Sequence, residues 1–260
     1  MLEVRNLIKT YGTSFRAVDD LSITINDGEI FAFIGPNGAG KTTTIKSIMG
    51  LLSYDYGDIL FNGINIKSNP LEFKRQVAYI PDNPDLYDNL TGIQYLNFIG
   101  DIYEIPLNER IFDIKKYANL FEIDSNLGDL ISSYSHGMKQ KLSLISAFIR
   151  HPKLLILDEP FVGLDPKAAH DVKEIMKEMC QEGTSVFFST HVLEVAEKLC
   201  DRVCIINKGK MVVYGKMEDV KGNQSLDIAS EMAPVGLLIF SSQANLRAKM
   251  PMTNIITYWR

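Results

Sequence analysis

The stretch GPNGAGKT, from Gly35 to Thr42, constrains the fold of this chain more than any other. Gly35, Gly40, Lys41 and Thr42 have the G-x4-GKT spacing of a phosphate-binding loop. The apolar run IFAFI precedes the loop, and TTTIKSIMGLL follows it with a helical pattern that ends near residues 50–53. A chance glycine turn is the alternative, which this strand–loop–helix context disfavours. The sequence therefore predicts an α/β fold that holds a phosphate-bearing ligand.

The backbone and the side chains of this loop are expected to contact different parts of a nucleotide. The glycines let N–H groups turn toward phosphate, and the N-terminus of the following helix adds positive potential. We expect Lys41 to reach the β and γ phosphate oxygens and Thr42 to ligate Mg²⁺. The residues predicted to bind the nucleotide here are Gly35, Pro36, Asn37, Gly38, Ala39, Gly40, Lys41, Thr42 and Thr43.

The run LLILDEP places two acidic residues, Asp158 and Glu159, at the end of a predicted buried strand. In α/β sheets the ligand lies at the carboxyl ends of the strands. We expect Asp158 to hold the Mg²⁺ shell and Glu159 to act as the general base toward the attacking water. The alternative is a solvated acidic pair that starts a helix, but buried paired acids without compensation are costly.

The remaining sequence predicts one domain with a helical insert. Strand-like alternation, as at Leu21, Ile23 and Ile25, predicts an antiparallel layer at the start. Helical periodicity dominates from Thr91 to about Ile149, where Thr91 and Gln94 form a plausible capping box. We assign residues 1–222 to an α/β domain with a helical subdomain at about 83–150. No role is derived for the tail, 223–260.

Composition limits the classes of function. The formal net charge of -5 argues against a broad nucleic-acid-binding surface. The N-terminus has no secretion signal, and the longest apolar runs fall well short of the roughly 20 residues of a membrane span. We expect a cytoplasmic protein whose association with membranes, if any, is peripheral. Cys180, Cys200 and Cys204 lack disulfide or zinc spacing and are interpreted as small buried hydrophobes.

The ordered motifs, over about residues 4 to 215, resemble those of an ATP-binding-cassette (ABC) transporter ATPase subunit. YSHGM, from Tyr134 to Met138, is an imperfect match to the family's usual LSGGQ signature and resembles variants of drug-export cassettes. Ser135 can cap the following helix, and the Gly137 N–H with that helix terminus makes an anion site, although a capped helix alone is the simpler interpretation. The resemblance implies a P-loop ABC-type nucleotide-binding domain with ATP and Mg²⁺.

Three further residues take roles from the resemblance. Asp165 in VGLDP matches the loop that links two nucleotide sites, and His191 in STH matches the switch histidine that contacts the γ-phosphate. Tyr11 in KTYG matches the aromatic residue that stacks on adenine, although a Tyr beside a Gly is more often a turn residue. In the family the signature of one subunit completes the ATP site of another. One cassette per chain therefore implies a dimer, with itself or with a homologous cassette.

Asp82 marks a departure from the family. It stands in YIPDNPDLY, where the family usually has a Gln that reaches the metal. A carboxylate can still reach Mg²⁺ or its water shell, but a turn-forming acid between two prolines is an open alternative.

The resemblance also implies an integral membrane permease as partner, at the cytoplasmic face of the membrane. We expect some residues near Tyr87 and Leu90 to face that permease, and the signature variant favours an exporter. The alternatives are a soluble ABC-type ATPase that acts on a protein or nucleic-acid assembly, and an ATP-sensing module that no longer hydrolyses. The presence of Glu159 and His191 argues against the second.

Overall fold

The computed structural model describes residues 1–222, so the tail at 223–260 lies outside the described residues. Met1–Asn223 forms one compact unit. The strands, in chain order, are β1 (Leu2–Tyr11), β2 (Phe15–Ile25), β3 (Ile30–Ile34), β4 (Tyr56–Phe61), β5 (Ile64–Asn65), β6 (Val77–Ile80), β7 (Leu154–Leu157), β8 (Ser185–Thr190), β9 (Arg202–Asn207) and β10 (Lys210–Lys216).

Three of the α-helices follow one another between β6 and β7, and the others are interspersed among the strands. The α-helices, in chain order, are α1 (Lys41–Ile48), α2 (Pro70–Gln76), α3 (Gly92–Ile102), α4 (Leu107–Leu120), α5 (His136–Phe148), α6 (Pro166–Gln181), α7 (Leu193–Glu197) and α8 (Met217–Gly222). The predicted α/β fold, with its antiparallel layer and its helical elements, is confirmed.

Two sheets form the α/β core. The larger sheet has the order β10-β9-β3-β8-β7-β6, in which every neighbouring pair is parallel except β9 with β10. The smaller sheet, β2-β1-β4-β5, is antiparallel. Because β8 lies between β3 and β7, the ends of these three strands are brought side by side.

One hydrophobic core cluster joins the two sheets and α1. It contains Leu7 and Leu21 from the antiparallel sheet, Phe33 and Phe187 from the parallel sheet, and Ile45 from α1. Burial of each such side chain contributes roughly 1.5–3 kcal/mol relative to exposure. Cys200 and Cys204 are buried and Cys180 is half-buried, all as free thiols whose pKa burial raises to about 12, in agreement with their expected role.

The region between β6 and β7 is helical, as predicted. Thr91 and Gln94 form the expected capping box at the start of α3, and the Ser135 hydroxyl caps α5. Tyr117 on α4 packs on Phe148 on α5, with ring centroids 5.4 Å apart. The sequence analysis did not identify α2, although Asn69 followed by Pro70 is a cap with proline at the first helical position.

Candidate functional site

Four parallel strands of the larger sheet end at one edge, and the candidate residues follow these strands. The phosphate loop follows β3, Asp82 follows β6, Asp158 and Glu159 follow β7, and His191 follows β8. The carboxyl ends of parallel strands are the usual ligand-binding edge of an α/β sheet. The structure thus brings the loop and both predicted carboxylates to the same place.

The phosphate loop is held tightly at its base and exposed at its crest. Gly40 has a φ of 108°, and a Cβ there would lie 2.3 Å from the Ala17 carbonyl oxygen, so only glycine fits. Asn37 and Gly38 are exposed. The Lys41 ammonium is almost fully buried and donates to the carbonyl oxygens of Gly35, at 2.7 Å, and Pro36, at 3.3 Å. The loop therefore exposes its backbone at Asn37 and Gly38, while the charged ammonium of Lys41 is buried below the loop.

Asp158 is fully buried at the end of β7. Its Oδ2 accepts a hydrogen bond of 2.7 Å from the Thr42 hydroxyl, and its Oδ1 accepts one from the Ser189 hydroxyl. Burial raises the pKa of Asp158; the two hydroxyl bonds lower it, and the charges of Asp82 and Glu159 raise it. A buried carboxylate with a hydroxyl beside it and two further carboxylates nearby would be stabilised by a cation.

The donor set fits Mg²⁺. This cation takes oxygen ligands and is usually held by one or two carboxylates together with substrate phosphates. Thr42 Oγ1 and Asp158 Oδ2 are such oxygens, and they are already adjacent. Within residues 1–222 no group of three His, Cys, Asp or Glu side chains forms a metal site by itself.

Glu159 lies between the lysine and the histidine. Its φ of 49° is left-handed, a conformation that is rare outside glycine and concentrates at functional sites. The Glu159 N–H donates to the Ser189 hydroxyl at 3.0 Å. Oε2 lies 3.0 Å from His191 Nδ1, whereas Oε1 lies 3.3 Å from Lys41 Nζ and is buried without a hydrogen bond. This second oxygen has a free acceptor position.

Asp82 and Tyr11 lie at the margin of this cluster. The Asp82 carboxylate accepts from the Asn83 N–H at 2.9 Å, which is the turn-type contact, while its charge acts on Asp158. Tyr11 ends β1 with 44% of its surface exposed, and the Lys9 ammonium lies 5.3 Å from the centre of its ring. The roles of both residues, in metal binding and in stacking on adenine, stay predictions.

The signature segment contacts the loop that follows Glu159. Ser135 Oγ accepts from the Met138 N–H at 3.2 Å, and a Cβ on Gly137 would lie 2.9 Å from the Gly163 carbonyl oxygen. Asp165 caps α6 through the Ala168 N–H and pairs with Lys141 Nζ at 2.9 Å, and both contacts lower the pKa of Asp165.

Several contacts that shape the site have no counterpart among the predictions made from the sequence. Ser189 holds both Asp158 and the Glu159 backbone, and the only sequence signal was a serine in an apolar strand two residues before His191. Gln140 is fully buried and its amide donates to the Pro160 carbonyl oxygen at 3.5 Å. These side chains position functional groups rather than forming a recognisable motif.

The surface predicted to face a permease carries exposed aromatic rings. Tyr87 is 55% exposed, and its ring lies edge-on to Phe98 on α3 at 5.7 Å between centroids. Leu90 is half-buried. In the described part of the chain, no helix is both long and apolar enough to cross a membrane.

Comparison with known proteins identifies the family. The model of the ABC transporter family matches residues 18–162, more than half of the chain. The chain is 34% identical over 240 residues to the linearmycin resistance ATP-binding protein LnrL of Bacillus subtilis, covering 91% of this chain and 76% of LnrL. The protein belongs to the ABC transporter family, as one of its ATP-binding subunits.

Solved structures agree. The structure of an ATP-binding subunit of an ABC transporter superposes with a TM-score of 0.83 at 34% identity, over 90% of this chain and 98% of the other. A dimeric ATP-binding cassette in a post-hydrolysis state with ADP and Pi shares the fold, with a TM-score of 0.76 at 20% identity over 84% and 99% of the two chains. The chain is accordingly an ATPase of this family.

Proposed function

We propose that this ATPase hydrolyses ATP with Mg²⁺ between two closed cassettes and powers an integral membrane permease from the cytoplasmic face, as part of an exporter. The observation that carries the proposal is the convergence of Lys41, Asp158 and Glu159 at one sheet edge, with the Glu159 carboxylate 3.3 Å from the lysine ammonium. The resistance function in the name of LnrL supports export. The dimeric cassette of the same fold supports closure of two chains.

Phosphate binding is assigned to the loop and Lys41. Backbone N–H groups at the N-terminus of α1 and the buried ammonium offset phosphate charge without having to reorganise. Thr42 and Asp158 would hold Mg²⁺, which supplies charge neutralisation at the phosphates. The Ser189 hydroxyl fixes the orientation of Asp158, so these two oxygen ligands are positioned in advance.

Glu159 is assigned as the general base. Its Oε1, which lies near the Lys41 ammonium but accepts no hydrogen bond, can accept a proton from the attacking water, while His191 at Oε2 keeps the carboxylate oriented. His191 is half exposed, so it can also turn toward a phosphate. Ser135 and Gly137 of the second chain would provide the anion site that closes over the phosphates, with Asp165 in the loop that links the two sites.

Glu159→Gln tests the catalytic assignment. The amide cannot accept the proton, so phosphate release should fall about 10²- to 10³-fold while ATP binding persists. ATP should then hold the variant as a dimer in size-exclusion chromatography. His191→Gln is the comparison, because it removes the partner of Oε2 and the proposed phosphate contact but leaves the Glu159 carboxylate in place, so it should lose less activity. Phosphate release by Glu159→Gln at the wild-type rate would remove Glu159 from the base role.

A tagged Glu159→Gln chain also tests the membrane role. Native membranes are solubilised gently with ATP present, and the proteins that co-purify are identified. Recovery of a multi-spanning membrane protein in stoichiometric amount is expected, together with its loss when Tyr87→Asp is added. Recovery with soluble partners only would favour a non-transport ATPase, and co-purification undisturbed by Tyr87→Asp would place the docking surface elsewhere.

A further inference from the structure

Two exposed aromatic residues are paired across the tip of the first hairpin. Tyr11, the last residue of β1, is paired directly with Phe15, the first residue of β2. Side chains of directly opposed residues lie on the same face, with Cβ atoms about 4.5–5.5 Å apart. Phe15 is 61% exposed and Tyr11 is 44% exposed. The pair therefore forms an aromatic surface open to solvent.

This surface is fixed next to the phosphate loop. Ideal Cβ positions on Gly40 and Gly209 would lie 2.3 and 3.0 Å from the Ala17 carbonyl oxygen, and the Gly209 N–H donates to the Ala39 carbonyl at 2.9 Å. Phe15 precedes Ala17 by two residues, so their Cα atoms are at most about 7 Å apart. A base joined through ribose to phosphates in the loop can reach this hairpin.

The environment of the two rings differs. The Lys9 ammonium lies over Tyr11 at 5.3 Å, which occupies one side of that ring. No aromatic ring or cation among residues 1–222 stacks on Phe15. A large apolar ring left this exposed beside a ligand-binding loop is suited to being covered by a flat apolar surface.

We propose that Phe15 is a second aromatic contact for the purine base, which packs against Phe15 as well as Tyr11. The proposal deepens the nucleotide site and rests on the proposed function. Stacking of a base on an aromatic side chain contributes to binding whichever purine is present. Phe15 should therefore strengthen binding of ATP and GTP alike, and should have no effect on a ligand that lacks a base.

Phe15→Ala tests this proposal with three ligands, namely ATP, GTP and inorganic tripolyphosphate, in calorimetric titrations with Mg²⁺. Loss of stacking should weaken both nucleotides about fivefold or more and leave tripolyphosphate unchanged. Phe15→Tyr should retain wild-type affinity. Phe112→Ala is the matched control, because Phe112 on α4 is 70% exposed and lies outside the hairpin.

Unchanged nucleotide affinity in Phe15→Ala would overturn the proposal. An equal loss for tripolyphosphate would also overturn it, because it would mean that Phe15 acts through the shape of the loop. Lys41→Ala distinguishes these failures from failure of the proposed function, since it should weaken all three ligands. If the wild-type chain bound none of them, the nucleotide site itself would be wrong.

Discussion

The strand-end region and the signature region of this chain differ in how complete they are. At the strand ends, functional side chains contact one another: Lys41 meets Glu159, Glu159 meets His191, and Thr42 meets Asp158. At the signature, the hydrogen bonds of Ser135 within residues 1–222 go to its own helix, and Gly137 packs on Gly163. No hydrogen bond or ion pair joins residues 135–137 to the phosphate loop within the described chain. The strand-end region is assembled within one chain, whereas the signature region, under the proposed function, would meet its phosphate only when a second chain closes on it.

The difference follows from how the fold places each region. Parallel strands bring their ends together at one edge, whereas α5 belongs to the helical region, packs on β6 and also contacts the loop after Glu159. Gln140 bonds the Pro160 carbonyl, and Lys141 pairs with Asp165. Because Pro160 follows Glu159 directly, these contacts connect the signature helix to the proposed general base. The proposed closure of a second chain on the signature would therefore be able to affect the position of Glu159.

The largest effect is expected from Ser135→Asp in the Glu159→Gln background. Aspartate is as good a helix cap as serine, so α5 should keep its start, but the new charge repels phosphate in the anion site. ATP-dependent dimerisation should be lost in size-exclusion chromatography, while a monomer at low concentration should still bind ATP with unchanged affinity. Ser135→Asn, which caps without charge, should retain the dimer.

Two results would contradict the proposal that the strand-end region acts within its own chain and the signature region acts on a second chain. Weaker binding of ATP to the Ser135→Asp monomer would mean that Ser135 contributes to the site of its own chain. A dimer that persists in Ser135→Asp would mean that phosphate does not contact the signature. Lys41→Ala is the reference for the strand-end region, since it should lose both binding and dimerisation.

A second, smaller effect concerns stability at the strand ends. Burial raises the pKa of Asp158, so its ionised form destabilises the fold above that pKa, and the penalty disappears as pH falls below the ordinary aspartate range. Asp158→Asn should therefore abolish Mg²⁺-dependent turnover and stabilise the nucleotide-free fold by about 0.5–2 kcal/mol at pH 8. Thermal unfolding from pH 8 to pH 4 should show the gain shrinking. A gain that grows on acidification would contradict the electrostatic explanation.

The strand, the glycine loop and the acidic pair of the strand-end region could be predicted because each is encoded in one contiguous stretch of sequence. The helices α3 to α5 and the caps at Thr91 and Ser135 were predicted for the same reason. Ser189 was missed because its role depends on β8 lying beside β7, which no local pattern encodes. The Lys141–Asp165 pair was missed because it joins separate elements. The interpretation of the Cys residues as small buried hydrophobes rested only on their spacing and on the residues around them.

The smallest effect separates the two interpretations of Asp82. Asp82→Asn keeps an oxygen that can accept from the Asn83 N–H, so the turn and the fold should persist, but it removes the charge beside Asp158. If Asp82 serves the metal shell, the Mg²⁺ concentration for half-maximal phosphate release should rise about tenfold. Loss of the charge also removes one of the influences that raise the pKa of Asp158, so the acid limb of the pH–rate profile should move to lower pH.

The control is Asp82→Gln, which introduces the family's usual residue. This variant should return the required Mg²⁺ concentration to the wild-type value, but its acid limb should stay at the lower pH because the charge is still absent. An unchanged Mg²⁺ requirement and an unchanged acid limb in Asp82→Asn would reduce Asp82 to a turn residue, and the metal would then be held from the Thr42–Asp158 side alone.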